Sequence, residues 1–345
     1  MGPRATMNTR VCLVALPASA ALILALGAAQ GPPEADLAAI SDATAVLALR
    51  ALQGTVRLSQ DPGLQSTVFG SGFVVDATRG YIVTNEHVVR SVDANITVTL
   101  YDGRHVQADV VGTDPGTDIA VLRILPGFAR QQLAWGDSDA LRPGHMVLAV
   151  GSPLDLTGST SLGIVGGLGR EIADPGEPLV VQDFLQLDAF IDHGSSGGPL
   201  VDMRGQVMGV NTAIRGNNWQ GIGYAVPAAI ARRVVADLIA YGEVRRAYLG
   251  VSETEDVTAR YAELAGLERP FGARVKEVAD GSPAQTAGLR RGDVILTVNG
   301  KEVLGRANLI ARVNALAPED KVRLGVWRDG KLVTLEAVLT TRNPR

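Results

Sequence analysis

Three short segments supply a histidine, an aspartate and a serine, in that order along the chain. His87 follows an apolar run that ends at Thr84, Asp118 begins another apolar run, and Ser196 stands among glycines in segment 194–200. A serine hydroxyl becomes an effective nucleophile when an imidazole accepts its proton, and a carboxylate can hold that imidazole in the required tautomer. The three residue types therefore predict attack by Ser196 on a carbonyl carbon, with His87 as the base.

The glycines beside Ser196 favour a tight loop that exposes the hydroxyl and turns backbone N–H groups inward. The N–H groups of Gly194, Ser195 and Ser196 would then stabilise an oxyanion. Each segment carries little weight by itself, because a lone histidine is more often structural and a Gly-Gly-Pro run after serine is often a turn. Asp114 is, by position in the sequence, an equally available carboxylate, so both aspartates remain candidates at this point.

Short apolar runs separated by turn residues surround these segments and predict β-strands rather than long helices. The predicted strands are 68–75, 81–84, 96–101, 105–111, 119–124, 146–150, 207–210 and 222–226. Strands of this length and spacing are typical of an all-β barrel or sandwich. His87 would follow the end of a strand, and Asp118 would stand at the buried start of another.

A helix is predicted from Pro227 to Gly242, because proline suits a first helical turn and glycine suits the position after the last. The charged residues 243–246 mark a boundary, beyond which the pattern changes. Strands are predicted at 248–251, 273–278, 294–298 and 322–327, with helices near 283–287 and 306–316. Together they predict a second, α+β domain of about 95 residues.

Composition excludes several classes of function. The 345 residues carry a net charge of −4 without a basic run, which argues against a nucleic-acid surface. The single cysteine, Cys12, lies in the N-terminal apolar stretch, so disulfides and thiol catalysis are not expected in the rest of the chain. The histidines other than His87 show no ligand spacing, and neither a metal nor an organic cofactor is predicted.

The N-terminus has the parts of an export signal. Arg4 and Arg10 precede an uncharged apolar run, 11–29, which small residues close. A cleaved signal peptide and a retained membrane anchor both fit residues 1–31, because a membrane span needs about 20 apolar residues. Either alternative places the rest of the chain outside the cytoplasm, in the periplasm or at the cell surface. Residues 32–50 are interpreted as a linker with a short helix.

From about Val56 to about Leu339 the sequence resembles the HtrA (Deg) family of serine proteases. The resemblance rests on the three segments above and on Gly70-Ser71-Gly72-Phe73, Gly136-Asp137-Ser138-Asp139, Leu168-Gly169-Arg170 and residues 221–227. It implies a mainly β chain, with a chymotrypsin-like double β-barrel at 51–243 followed by a PDZ domain at 246–341. It places the catalytic triad on His87, Asp118 and Ser196, which selects Asp118 over Asp114.

The resemblance also bears on substrate preference, and three positions depart from the family pattern. Ser195 replaces the usual Asn, His193 replaces Pro or Arg, and Leu187 replaces Thr. Trypsin-like enzymes that prefer basic P1 residues have an acid where this chain has Phe190, so no such preference is expected. By resemblance, Ile191 and Ile214 line the S1 pocket and favour small aliphatic P1 residues.

Two further sites follow from the resemblance. Arg170 matches a sensor arginine that relays signals from the PDZ domain or a neighbouring subunit to the oxyanion loop. Residues 248–251 (Tyr248, Leu249, Gly250 and Val251) match the loop that holds a peptide C-terminus, and the peptide would add a strand beside them. The family also implies a homotrimer, although the aromatic residues that hold such trimers are absent before Phe69.

The sequence therefore predicts an ATP-independent serine endopeptidase that acts on unfolded or tagged extracytoplasmic proteins and responds to C-terminal peptides. Two alternatives remain open. One is a peptide-binding or chaperone protein with incidental or no protease activity. The other is a processing protease with one membrane-bound substrate.

Overall fold

The computed structural model describes residues 34–60, 68–90, 95–152, 158–171, 183–191, 194–212 and 221–341. The chain divides into two compact units, Met1–Ala45 and Val46–Arg345. The predicted signal or anchor at 1–31 lies outside the described residues. Within the described residues, no helix has the length and apolar character needed to cross a membrane.

Helix α1 spans Glu34–Gly54, where the sequence predicted a linker with a short helix. Alanine and leucine dominate its sequence, and both have high helix propensity. In its C-terminal half, which belongs to the second unit, Leu47 and Ala51 are buried in the main hydrophobic core. Burial of this face explains why the helix is longer than composition alone suggested.

The first six strands close into an antiparallel barrel in the order β1-β2-β3-β6-β5-β4. They span Thr55–Ser59, Val68–Asp76, Tyr81–Thr84, Ile96–Leu100, His105–Asp114 and Ile119–Arg123. A short helix, α2 (Glu86–Arg90), follows β3. Thr84 at the end of β3 pairs with Ala120 near the start of β6. This register brings the residues after β3 beside the residues before β6.

Six more strands close a second barrel in the order β10-β11-β12-β9-β8-β7. They span Met146–Gly151, Ser159–Arg170, Phe184–Leu187, Pro199–Asp202, Val207–Thr212 and Gly223–Pro227. The predicted double β-barrel is thus confirmed. Strands β8, β9 and β10 were not predicted from the sequence, and in β8 the reason is its content of glycine and serine, which favour turns.

Helix α3 (Ala228–Tyr241) lies against both barrels, and its bounds agree with the prediction. Pro227 occupies the position before its first residue, without a side-chain capping hydrogen bond, and Gly242 ends it in the left-handed region, with φ 75°, while donating its N–H to Leu238 O. Ile230 and Leu238 on its buried face join core residues of both barrels in one cluster. The helix thereby fixes the seam at which the two barrels meet.

The C-terminal domain has a five-stranded path, β14-β15-β16-β18-β19, with β17 beside β16 and a separate pair β13-β20. Its strands β13 to β20 span Ala247–Tyr248, Val251–Asp256, Ala273–Val278, Val294–Val298, Lys301–Glu302, Lys321–Arg328, Lys331–Val338 and Thr340–Thr341. Helices α4 to α6 span Ala259–Ala265, Pro283–Thr286 and Arg306–Asn314. Among the described strands, β14 stands at an edge of the sheet and pairs with β15 only.

Candidate active site

The His87 imidazole and the Asp118 carboxylate meet because β3 pairs with β6. Nδ1 of His87 lies 2.9 Å from each carboxylate oxygen of Asp118. The backbone N–H of His87 donates a third hydrogen bond, 3.0 Å long, to Oδ1. With the Nδ1 proton directed at the carboxylate, Nε2 is left as the basic nitrogen.

Other side chains hold Asp118 in place. The Thr212 hydroxyl donates to Asp118 Oδ2 at 3.0 Å, and the Asn85 side-chain amide donates to the Asp118 backbone oxygen at 2.9 Å. Asp118 has φ 57°, a left-handed conformation that is uncommon outside glycine. Neither Thr212 nor Asn85 was predicted from the sequence as part of the site. Asn85 immediately precedes the first residue of α2 and lies two residues before His87, but nothing in the sequence linked Thr212 to Asp118.

Asp114 has a different set of partners. Its carboxylate accepts a 2.6 Å hydrogen bond from the Thr117 hydroxyl and forms an ion pair with Arg246 at 2.6 Å. The structure therefore places Asp118, rather than Asp114, beside His87. Asp114 instead links the first barrel to Arg246, in the segment after α3.

The loop around Ser196 depends on glycine. Gly194 and Gly197 have φ of 92° and 84°, which glycine adopts without steric cost. A Cβ on Gly198 would lie 2.0 Å from Val150 O, so any side chain there would displace the backbone. Ser196 follows in the same loop, and its backbone oxygen accepts a 2.8 Å hydrogen bond from Ser71 N of β2. A Cβ on Gly197 would lie 3.0 Å from Asn85 N, so the Ser196 loop lies beside the segment of the first barrel that contains His87.

The predicted S1 residues are only partly within the described chain. Ile191 is buried, and a Cβ on Gly223 of β12 would lie 3.1 Å from Ile191 Cδ1. Ile214 and His193 fall outside the described residues. Phe190 is 41% exposed, and its backbone N–H donates to the Ser161 hydroxyl. Gly223, which was not predicted from the sequence as a site residue, therefore also lies beside the predicted pocket wall.

Comparison with known proteins places this geometry in a family. The sequence model of the trypsin-like peptidase domain matches residues 70–210, and that of the PDZ domain matches residues 247–339. A solved structure titled HtrA-type protease AlgW with tripeptide is 36% identical, with a TM-score of 0.66, over 87% of this chain and 98% of that chain. The chain belongs to the HtrA family of serine proteases.

Curated HtrA relatives are longer than this chain. A probable periplasmic serine endoprotease of Bartonella henselae, described as DegP-like, is 41% identical over 277 residues, which are 79% of this chain and 53% of the relative. The periplasmic pH-dependent serine endoprotease DegQ of Escherichia coli is 39% identical over 287 residues, 82% of this chain and 62% of DegQ. The chain spans little more than half of the length of such relatives.

Arg170 lies at the end of β8, opposite Phe184 of β9. Its Nε donates a 2.8 Å hydrogen bond to the Gln186 side-chain oxygen. The next residue, Glu171, forms a 2.7 Å ion pair with Arg306 at the start of α6 in the PDZ domain. The segment that begins at Arg170 therefore contacts the PDZ domain directly, while residues 172–182 fall outside the described chain.

Asp183, where the described chain resumes, makes a second contact with the PDZ domain. Its partly buried carboxylate accepts a 2.8 Å hydrogen bond from the Asn308 side chain of α6. Burial raises the pKa of Asp183 from 3.8 to about 6, although the Asn308 hydrogen bond and the charge of Arg312 oppose the shift. Asp183 was not predicted from the sequence, because its hydrogen-bond partner lies in another domain.

This pKa predicts a pH-dependent stability. The folded state binds the Asp183 proton more tightly than the unfolded state does, so stability falls as the pH rises from about 4 through 6. Asp183→Asn removes the charge and should raise stability by about 1–3 kcal/mol at pH 7.5. The gain in melting temperature should shrink toward pH 4.5. An equal gain in melting temperature at both pH values would contradict the raised pKa of Asp183. Asp137→Asn is the matched control variant.

The predicted carboxylate-binding loop of the PDZ domain adopts a tight turn. The sequence predicted one strand over 248–251, but β13 ends at Tyr248 and β14 begins at Val251, because Gly250 has φ 88°. The oxygens of Leu249 and Gly250 accept hydrogen bonds from Ala284 N and Ala279 N. These bonds hold the turn at the start of the edge strand β14.

Metal ligation has no support within the described residues, where no three His, Cys, Asp or Glu side chains are grouped to hold an ion. Nδ1 of His145 accepts a long hydrogen bond from the backbone N–H of Arg142. His105 lies in β5, paired with Thr99.

Proposed function

We propose that this chain is an ATP-independent serine endopeptidase that hydrolyses peptide bonds in unfolded or tagged extracytoplasmic proteins. The observation that carries the proposal is the His87 imidazole, held 2.9 Å from both oxygens of the buried Asp118 carboxylate, at the seam where the Ser196 loop meets the first barrel. This arrangement supports general-base activation of a serine.

In the proposed reaction, Ser196 Oγ attacks the scissile carbonyl carbon while Nε2 of His87 takes the hydroxyl proton. The carbonyl oxygen becomes an oxyanion, which the N–H groups of Gly194, Ser195 and Ser196 stabilise. His87 then gives the proton to the leaving amine, and an acyl-enzyme forms on Ser196. A water molecule, deprotonated by His87, attacks the acyl carbon; the bond to Ser196 Oγ then breaks, His87 returns the proton to Oγ, and the new carboxylate is released.

Asp118 assists at each stage without exchanging a proton. Its carboxylate keeps the Nδ1 proton on the side away from the serine, and it stabilises the imidazolium that forms in the transition state. The Thr212 hydroxyl donates to Oδ2 of this carboxylate, and the His87 backbone N–H donates to Oδ1. Together these two bonds fix the orientation of the carboxylate relative to the imidazole ring. Orientation of this kind lowers the barrier because little rearrangement is left to the reaction step.

For substrate choice we propose an S1 pocket lined by Ile191 and Ile214, which favours small aliphatic P1 residues. Burial of Ile191 beside Gly223 supports an apolar pocket wall. A methylene more or less in such a pocket changes the rate by about 10–200-fold. An apolar pocket also leaves a lysine ammonium group without a partner, so peptides with Val or Ala at P1 should be cleaved faster than the same peptides with Lys.

For regulation we propose that a peptide C-terminus binds residues 248–251 and adds a strand to the edge of β14. The ion pair between Glu171 and Arg306 and the Asp183–Asn308 hydrogen bond support a route from the PDZ domain to the segment after Arg170. We further propose Arg170 as the regulatory residue on that route, a homotrimeric assembly, and a periplasmic or cell-surface location, secreted or anchored by residues 1–31.

The test is cleavage of β-casein with and without a peptide that ends in hydrophobic residues. Cleavage that increases with the free peptide, and not with the same peptide amidated at its C-terminus, would support the endopeptidase and its PDZ regulation together. A folded protein that binds the peptide and leaves β-casein intact would instead support a peptide-binding or chaperone protein.

The PDZ loop offers a sharper prediction. Gly250→Ala places a Cβ 2.1 Å from the Ser282 Cβ, at a φ of 88°, and should displace the loop. We expect peptide affinity to fall by more than about tenfold, while basal cleavage persists. Gly300→Ala is the matched control, because Gly300 has φ 78° in the same domain with no atom near the added Cβ. Equal affinity in both variants would contradict the assignment.

A further inference from the structure

Ser71 of β2 has no surface exposure, and it makes two hydrogen bonds to the Ser196 loop and two more to Thr84 and Ser152. Its backbone N–H donates to Ser196 O at 2.8 Å, and its backbone oxygen accepts from the Thr84 hydroxyl at 2.7 Å. Its hydroxyl donates to Gly194 O at 2.5 Å and accepts from Ser152 N at 2.8 Å. One residue of the first barrel thus holds the backbone oxygens of the first and last residues of segment 194–196.

The Ser71 hydroxyl contributes a contact that the backbone cannot supply. A serine hydroxyl has a single proton to donate, and here it goes to Gly194 O. The Ser152 N–H occupies an acceptor position on the same oxygen, which fixes the direction of the donated bond. The hydroxyl therefore joins the end of β7 to the loop that carries Ser196.

Glycines permit this close approach. A Cβ on Gly197 would lie 2.2 Å from Ser71 O, and a Cβ on Gly70 would lie 3.1 Å from Ser196 O. A Cβ on Gly151 would lie 2.8 Å from Ser195 Cα and 3.2 Å from Ser71 Oγ. The same lack of side chains leaves the loop backbone free to rotate, since glycine occupies many φ and ψ values at little cost.

The Gly194 carbonyl belongs to the peptide plane that contains the Ser195 N–H, and this plane lies between the N–H groups of Gly194 and Ser196. Fixing that carbonyl fixes ψ of Gly194 and φ of Ser195, which set the directions of the neighbouring N–H groups. A small misalignment of such donors lowers the reaction rate substantially, because each donor nitrogen must lie about 2.7–3.1 Å from the oxyanion.

We propose that Ser71 is a positioning residue for the oxyanion loop, whose hydroxyl holds the Gly194 carbonyl and thereby orients the N–H groups of segment 194–196. This inference rests on the proposed function, because it assigns Ser71 a part in the reaction of Ser196. The residue itself does not touch the substrate.

Ser71→Ala tests the proposal, since it removes the hydroxyl and leaves both backbone hydrogen bonds. We expect kcat for a peptide substrate to fall about 10–100-fold with KM within about twofold. The inhibition constant of a peptide boronate, which forms a tetrahedral adduct in the oxyanion hole, should rise by a similar factor. Ser138→Ala is the control, because Ser138 is another buried serine, and its hydroxyl accepts a 3.0 Å hydrogen bond from the backbone N–H of Ala229.

Amide hydrogen exchange over residues 194–198 provides a readout that does not depend on activity. Faster exchange there in Ser71→Ala, and not in Ser138→Ala, is expected. Unchanged exchange, or a kcat and boronate affinity within twofold of the parent, would overturn the role of Ser71. If the parent protein neither cleaves peptides nor binds the boronate, the proposed function fails, and the exchange measurement alone decides whether Ser71 positions the loop.

Discussion

Ser196→Ala should lower kcat for peptide hydrolysis by about a million-fold while leaving the fold intact. The nucleophile is lost completely, and the residual rate comes only from binding and oxyanion stabilisation. Ser196 is buried in a loop whose turns are set by Gly194 and Gly197, so the loss of one hydroxyl should not alter the loop backbone. The measurement is the initial rate with a fluorogenic peptide, on samples of equal melting temperature.

The neighbouring serine is the natural control for this variant. Ser195 is equally buried, and its proposed contribution is a backbone N–H that alanine retains. Ser195→Ala should therefore lose far less activity than Ser196→Ala. The reverse order of losses would assign the nucleophile to Ser195 and contradict the proposed triad.

Asp118→Asn should lower kcat by about 10⁴-fold at neutral pH. Both carboxylate oxygens of Asp118 receive hydrogens, from the His87 ring, the His87 backbone N–H and the Thr212 hydroxyl. An amide NH2 group in that position opposes at least one of these donors and favours the wrong imidazole tautomer. The KM of the substrate should change little, because Asp118 is not expected to contact the substrate.

Asp114→Asn is the matched control, four residues away in the sequence. It weakens the ion pair with Arg246, and we expect a loss of about 1–3 kcal/mol in stability with kcat within about tenfold of the parent. A large loss of kcat in Asp114→Asn, together with activity in Asp118→Asn, would reverse the roles given to the two aspartates.

The fold could be predicted wherever local pattern and tertiary environment agree. Strand β3 and helix α3 followed from apolar periodicity and from the proline and glycine at the helix ends. Strand β8 did not, because its glycines and serines resemble a turn and its pairing with β7 is what makes it a strand. The break between β13 and β14 depends on the positive φ of Gly250, which a run of apolar residues conceals.

The candidate site shows the same division. Residue types and their order predicted His87 and Ser196, but spacing alone could not choose between Asp114 and Asp118, and the family resemblance made that choice. The partners of Thr212 and Ser71 are distant in the sequence, so no local motif could predict these contacts. Burial raises the pKa of Asp183, and its hydrogen-bond partner Asn308 lies in another domain, so the local sequence could not indicate this environment.

Covalent labelling with a fluorophosphonate, followed by mass spectrometry of the labelled peptide, tests whether Ser196 is the nucleophile. The proposed triad predicts one phosphonyl adduct on Ser196, formed rapidly by the parent protein and far more slowly by His87→Ala. An adduct on Ser195, or a labelling rate that His87→Ala leaves unchanged, would contradict the proposed triad. A folded parent that forms no adduct would contradict it as well.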